Sequence, residues 1–234
     1  MPLHHREEDE FIQCLREFIS IEKDLDAQKV NMVLKTDFNL HDVFSIFDEN
    51  RDGVLSHAEI RNGLAAIGVF PSSEEIDLWF KRYDSNGDNK LEFGEFSEAF
   101  LPQDSYYTAM LQRRGSTHRY PLYRRDDCFF PDTAVQFRGL FNVHFKAEVA
   151  IEAVRQRLAG NPHFDALEAF NSLDLNNDGM VSATEIKQII QKRGHYVSDK
   201  DAALLLRKFD QNNDTQINFK EVSLLVLTQF IVSG

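Results

Sequence analysis

The chain has 234 residues, 26 of them Lys or Arg and 38 Asp or Glu, for a formal charge of −12 with neutral histidines. That length allows two modest domains with real cores, and the acidic balance disfavours nucleic acid as a general partner. Cys14 and Cys128 lie far apart and read as reduced thiols of a cytoplasmic setting rather than a disulfide frame. The opening MPLHHREEDE lacks the apolar core of a secretory signal, Pro2 stands where a myristoylated chain needs Gly, and no run approaches the ~18 apolar residues of a membrane span.

Residues 8 to about 35 predict one long helix, with Phe11, Leu15, Phe18, Glu22 and Leu25 on one stripe and Ile12, Ile19 and Met32 beside it. It is expected to pack on the unit that follows, because its apolar heptad is too short-lived for a coiled coil. Asp37 or Asn39 can cap the next helix, whose inner face is Leu40, Val43, Phe44 and Phe47.

Then comes the stretch Asp48–Glu59, DENRDGVLSHAE. Asp48, Asn50 and Asp52 occupy positions 1, 3 and 5, Val54 and Ser56 positions 7 and 9, and Glu59 position 12. A hard cation such as Ca²⁺ takes about six to eight oxygens, and this spacing supplies side-chain oxygens, one backbone carbonyl and a bidentate carboxylate. Gly53 at position 6 allows the positive φ of the sharp turn.

The frame recurs three times. Asp84–Glu95 offers Asp84, Asn86, Asp88, Lys90 by its carbonyl, Glu92 and Glu95. Asp174–Glu185 offers Asp174, Asn176, Asp178, Met180 by its carbonyl, Ser182 and Glu185. Asp210–Glu221 offers Asp210, Asn212, Asp214, Gln216 by its carbonyl, Asn218 and Glu221. Within each pair the loops start 36 residues apart, 84 minus 48 and 210 minus 174. Asn89 at position 6 of the second loop tolerates the left-handed region, whereas Thr215 in the fourth is β-branched there. Up to four Ca²⁺ are expected, the fourth site weakest. Glu at position 12 throughout favours Ca²⁺ over octahedral Mg²⁺.

The flanking residues keep their offsets. Ile60, Leu64 and Ile67 follow the first loop, Gly68 ends that helix, and Ser72 or Ser73 caps the next. Trp79, Phe80 and Tyr83 precede the second loop; Phe96 and Phe100 follow it. In the second pair Leu167, Phe170 and Leu173 precede the third loop, and Ile186, Ile189 and Ile190 follow it up to Gly194. Ser198 caps the next helix, with Asp201 three residues on. Leu205, Leu206 and Phe209 lead into the fourth loop; Val222, Leu225, Val226 and Phe230 leave it. Leu55 with Leu91, and Val181 with Ile217, should bridge paired loops as short antiparallel strands.

Between the pairs the charge reverses: residues 101–160 carry nine bases and six acids, against ten and twenty-two in 1–100. A short helix is expected over Asp104–Arg114, and a second from Asp132 or Thr133 to about Leu158, with Phe137, Leu140, Phe141, Phe145, Val149, Val154 and Leu158 on its stripe. That helix is expected to fill the groove of one loop pair. Arg113, Arg114, Arg119, Arg124 and Arg125, with Tyr106, Tyr107, Tyr120, Tyr123, Phe129 and Phe130 nearby, form either a linker that neutralises the acidic lobes or a docking surface for an acidic partner such as tubulin.

The loops identify the chain as a member of the EF-hand superfamily. The stretches TDFNLHDVFSIFD, FSEAFLPQDSYY and YRRDDCFFPDTAVQFRGLF between two loop pairs resemble four-EF-hand calcium-binding proteins of ciliate-type protists. The resemblance implies a place at the cell cortex or cilium and an axonemal or cortical partner. The expected fold is all-α: two EF-hand pairs with short β bridges, joined by a helical basic insert. Its segments are an N-terminal helix (1–36), the first pair (37–103), the insert (104–162) and the second pair (163–234).

Eight histidines form no metal or catalytic constellation, and His57, at loop position 10, is expected to point outward. No nucleophile–base pair or Gly-rich phosphate loop is present, so an enzyme is not expected. With 4 Met against 20 Phe, the flexible groove of a promiscuous sensor is also unexpected. What remains is a calcium-responsive protein with a dedicated, cytoskeletal or ciliary partner, or a calcium buffer, which leaves the insert unexplained.

Overall fold

The computed structural model describes residues 5–116, 129–210, 212 and 214–226. The chain forms two compact units, residues 24–149 in one and residues 1–23 with 150–234 in the other. Two long helices, α1 (His5–Val33) and α7 (Pro131–Ala159), each contribute to both. No helix among the described residues is long and apolar enough to cross a membrane.

The unit of residues 24–149 holds the first two loops. It runs through α2 (Leu40–Phe47), β1 (Val54–Ser56), α3 (His57–Ala66), α4 (Ser73–Tyr83), β2 (Lys90–Glu92), α5 (Phe93–Glu98) and α6 (Ser105–Gln112). β1 and β2 pair antiparallel with Leu55 opposite Leu91, the expected bridge. Asn39 caps α2 by accepting from Asp42 N–H at 2.8 Å. Asp37 instead caps α7, accepting from Phe130 N–H at 2.6 Å and the Thr133 hydroxyl at 2.7 Å. Ser72 and Glu75 form a capping box on α4. The core gathers Phe38, Phe47, Trp79, Phe96 and Phe100 with Leu25 and Met32 of α1 and Phe137, Leu140, Phe141 and Phe145 of α7. α2 and α3 approach so closely that a Cβ at Gly63 would run into the Phe47 ring. The groove-filling role expected of the 133–158 helix is met here by the leading half of α7.

The other unit holds the third and fourth loops, on α8 (Ala166–Leu173), β3 (Met180–Val181), α9 (Ala183–Lys192), α10 (Asp199–Phe209), β4 (Ile217–Asn218) and α11 (Phe219–Val226). β3 and β4 pair with Val181 opposite Ile217. Its core takes Phe11, Ile12, Cys14, Leu15, Phe18 and Ile19 from α1, and Ile151, Val154 and Leu158 from α7. The stripe on α1 is buried as expected, but its leading half packs with the second loop pair rather than the first. Ser198 and Asp201 form the capping box on α10.

Three further expectations need correction. Val149 is 45% exposed and Leu167 51%, so neither faces a core. His57 does not point away; its ring stacks on Phe80 at 3.6 Å, with Nε2 3.5 Å from Asp77 Oδ1.

Candidate metal sites

Each loop leaves an α-helix through the residue at position 1, crosses a turn, and enters the next helix through a strand. The turn is built from the loop's own oxygens. The position 6 N–H donates to the position 1 carboxylate in all four loops: Gly53 to Asp48, Asn89 to Asp84, Gly179 to Asp174 and Thr215 to Asp210, at 2.8–3.2 Å. The position 5 N–H donates to the position 3 amide oxygen (Asn50, Asn86, Asn176 and Asn212), and the position 7 N–H to the position 5 carboxylate. At position 9 the N–H of Ser56, Glu92, Ser182 and Asn218 reaches the position 12 carboxylate. Such Asx-type bonds aim the remaining lone pairs toward the loop interior.

The backbone pattern is equally regular. Position 6 has φ of +85° at Gly53, +61° at Asn89, +83° at Gly179 and +67° at Thr215. Thr215 therefore adopts the conformation that its branched Cβ opposes. Position 4 is left-handed too, at Arg51 (+61°), Gly87 (+74°) and Asn177 (+58°). The sequence carried that signal in Gly87 and Asn177, though Arg51 masks it.

The glutamates at position 12 divide the sites. In the second and third loops, Glu95 and Glu185 turn one oxygen onto the N–H groups of Ser85 and Leu175, both at 3.0 Å. Burial pushes Glu95 up, but the Ser85 hydroxyl and the N–H groups of Glu92, Ser85 and Asn86 outweigh it and hold the carboxyl below the usual range. In the first loop, Asp48 Oδ1 and Glu59 Oε1 are buried and accept no hydrogen bond. An acceptor without a donor in the interior is costly, and two such oxygens from positions 1 and 12 fit a hard cation. Among the described residues, no three His, Cys, Asp or Glu side chains are gathered into a metal site of those types alone. The loop donor sets are mixed, with amide, hydroxyl and carbonyl oxygens between the carboxylates. Residues of Asp48–Glu59 and its three counterparts would hold the ion, which supplies charge neutralisation for the inward-facing oxygens.

The basic insert is only partly a surface. Arg113 is exposed. Arg114 is engaged within the chain: its guanidinium donates to the carbonyls of Val33 at 2.6 Å, Lys35 at 2.6 Å and Phe38 at 2.9 Å, just at and beyond the C-terminus of α1. Burial lowers its pKa while Asp37 opposes the shift. Tyr106 and Phe130 are exposed, whereas Tyr107 and Phe129 pack on the core. Arg119, Arg124, Arg125, Tyr120 and Tyr123 lie outside the described residues, as do Cys128 and Phe230.

A family model, the EF-hand domain pair, matches residues 37–101 and 164–226, more than half of the chain, and the chain belongs to that family. The probable calcium-binding protein CML11 of Oryza sativa subsp. japonica is 24% identical over 184 residues, 79% of this chain and 64% of that protein. The putative calmodulin-like protein 6 of the same plant is 21% identical over 195 residues, 83% of this chain and 85% of that protein. The mitochondrial adenyl nucleotide antiporter SLC25A24 of Mus musculus is 25% identical over 179 residues, 76% of this chain. The chain thus spans just under two thirds of the first of these and 25% of the antiporter. Family membership implies calcium as the bound cation; the matches carry nothing on ciliate-type protists.

Proposed function

We propose that the chain binds calcium through its four loops and couples occupancy to a dedicated protein partner. The observation that supports coupling over buffering is the filled groove of the first pair. Phe137, Leu140, Phe141 and Phe145 of α7 are buried beside Trp79, Phe96 and Phe100. A buffer needs the loops alone and gives no reason for a helix placed there. Calcium held by Asp48 and Glu59 would act on α2 and α3, which share a core with that helix and bring Phe47 of α2 within 5.6 Å of the Phe141 ring.

The partner surface lies on the insert, with Arg113, Tyr106 and the basic residues beyond Ser116. An acidic, tubulin-based assembly in the cytoplasm, cilium or cortex rests on this charge and on the protist resemblance. The chain's functional segments are the N-terminal helix (1–36), the first pair (37–103), the insert (104–162) and the second pair (163–234). The ranking of sites, with the fourth weakest, rests on the φ of Thr215.

The test is co-sedimentation with microtubules across a calcium titration, with Trp79 emission read in parallel. The expected outcome is a change in Trp79 emission together with calcium-dependent binding that Arg113→Glu weakens. Binding that ignores calcium, or none at all beside a normal Trp79 response, returns the chain to the buffer reading for this partner class. Glu59→Gln should lower affinity at the first loop roughly tenfold or more, read by calorimetry.

A further inference from the structure

The two loop pairs start 126 residues apart, at Asp48 and Asp174, and the same shift carries α1 onto α7. Both helices have 29 residues, and His5–Val33 moved by 126 becomes 131–159. Phe11, Cys14, Leu15, Phe18, Ile19 and Glu22 of α1 then correspond to Phe137, Leu140, Phe141, His144, Phe145 and Glu148 of α7. Every one of these side chains is buried. The boundary between the units obeys the shift as well, falling after Lys23 in α1 and after Val149 in α7. Each EF-hand pair therefore holds the trailing half of its own repeat's helix and the leading half of the other's.

Three contacts occur twice. Phe11 meets Phe164 at 5.5 Å between ring centroids, and Phe137 meets Phe38 at 6.0 Å. Phe18 meets Phe209 at 5.5 Å, and His144 meets Tyr83 at 5.8 Å, with the Tyr83 hydroxyl 3.3 Å from His144 Nδ1. Glu22 pairs with Lys208 at 3.4 Å, and Glu148 with Arg82 at 2.5 Å. Every contact joins one repeat to the other, and both partners shift by 126 between its two occurrences.

We infer that the chain is a duplicated helix-plus-pair unit whose copies have exchanged leading helix halves, and that each EF-hand pair is a receptor for one helical register. That register is an aromatic residue at the first position, apolar residues at the fourth, fifth and ninth, and Glu at the twelfth. The eighth position decides which helix enters which pair. In the wrong pair, Phe18 would face the Tyr83 hydroxyl and the His144 imidazole would face the Phe209 ring. Each mismatch sets a buried polar group against an apolar ring, which discriminates by leaving it poorly partnered. The occupant is the other repeat's helix. A helix from another protein enters only by carrying the same register and outcompeting a tethered one, whose effective concentration is on the order of millimolar.

Charge reversal in the full chain tests the exchange. Glu148→Lys should lower the denaturation midpoint read at Trp79, and Arg82→Glu in the same chain should restore much of it, while Lys208→Glu should not. Glu22→Lys should lower the midpoint read by helical circular dichroism, with rescue by Lys208→Glu and none by Arg82→Glu. The opposite rescue pattern, or rescue by neither, overturns the exchange. If a reversal prevents folding, a protease site placed within residues 117–128 gives a second readout. The two cut fragments should stay together under native conditions, and their separation would overturn the inference. For the eighth position, Tyr83→Phe and His144→Phe should each lower the Trp79-read midpoint, and the double variant should recover part of the loss. Purely additive losses would remove the selectivity role.

Discussion

At five positions related by the 126-residue shift, the unit of residues 24–149 packs Phe47, Trp79, Phe80, Phe96 and Phe141. The other unit packs Leu173, Leu205, Leu206, Val222 and Leu15 there, and all ten are buried. At these five positions one backbone frame thus carries aromatic rings in one core and aliphatic side chains in the other. Cores tolerate such exchange when volume and pattern are kept across the group. Here the helix from the other repeat changes with the pocket: Phe141 comes with Trp79 and Phe96, and Leu15 comes with Leu205 and Val222. The aromatic unit adds ring pairs such as Trp79–Phe141 at 5.9 Å and Phe47–Phe141 at 5.6 Å, each worth about 0.5–1.5 kcal/mol beyond area burial.

The largest effect should come from the position where the helix of the other repeat enters each core. Phe141→Ala should lower stability by about 3–5 kcal/mol, and Leu15→Ala by about 2–5 kcal/mol. Denaturant unfolding followed by Trp79 emission reads the first, and circular dichroism reads the second. Equal losses at both sites would mean that the ring pairs add nothing. Next is Arg114 of the aromatic unit, whose guanidinium holds the carbonyls of Val33, Lys35 and Phe38. Arg114→Ala should cost about 1–3 kcal/mol by leaving those carbonyls without their donor, against a change within about 0.5 kcal/mol for exposed Arg113→Ala.

A smaller effect separates the loops. Thr215→Gly should relieve about 1 kcal/mol of left-handed strain and tighten calcium binding at the fourth loop, as read by calorimetry. The converse change, Gly179→Thr in the third loop, should weaken its binding. No gain from Thr215→Gly would show that φ does not limit that site.

The smallest concerns the helix caps, where Glu75 and Asp201 correspond. Lys23 sits 3.1 Å from Asp201, while the position matching Lys23 in the aromatic unit is Val149, which has no charge. Burial raises the Asp201 pKa, but the Ser198 hydrogen bond and Lys23 outweigh it, and the carboxyl lies below its usual value. A lowered folded pKa stabilises above the unfolded value near 4 and loses that contribution as pH falls through the folded one. Acid titration of wild type against Lys23→Ala should therefore show a gap in stability that closes in strong acid.

The loops were legible because metal coordination fixes residue chemistry at fixed spacing, and the bridges at Leu55–Leu91 and Val181–Ile217 followed from that frame. The stripe on α1 was legible as a buried face, but a stripe does not say what covers it. Phe11 and Phe18 were expected on the following pair and lie in the later one. The signal for this was the register shared by Phe11 to Glu22 and Phe137 to Glu148, which a search confined to the loops passes over. Caps divided in the same way. Asn39 acts on its own helix and could be read locally, whereas Asp37 caps a helix that begins almost a hundred residues later. Val149 sits where α7 passes from one unit to the other, so the helical period there predicts a neighbour that is absent.

The exchange of helices also sets an order of events during synthesis. The first pair is complete by residue 101, but the helix half that fills it ends only at Val149. At roughly 5–20 residues per second, that pair waits for about 2–10 s with Trp79 and Phe96 uncovered. The leading half of α1 waits longer still, until the second pair has been made. Neither unit can close on a nascent chain shorter than α7. A ribosome stalled between the repeats would hold two apolar surfaces that lack their partners, the kind of intermediate that chaperones shield.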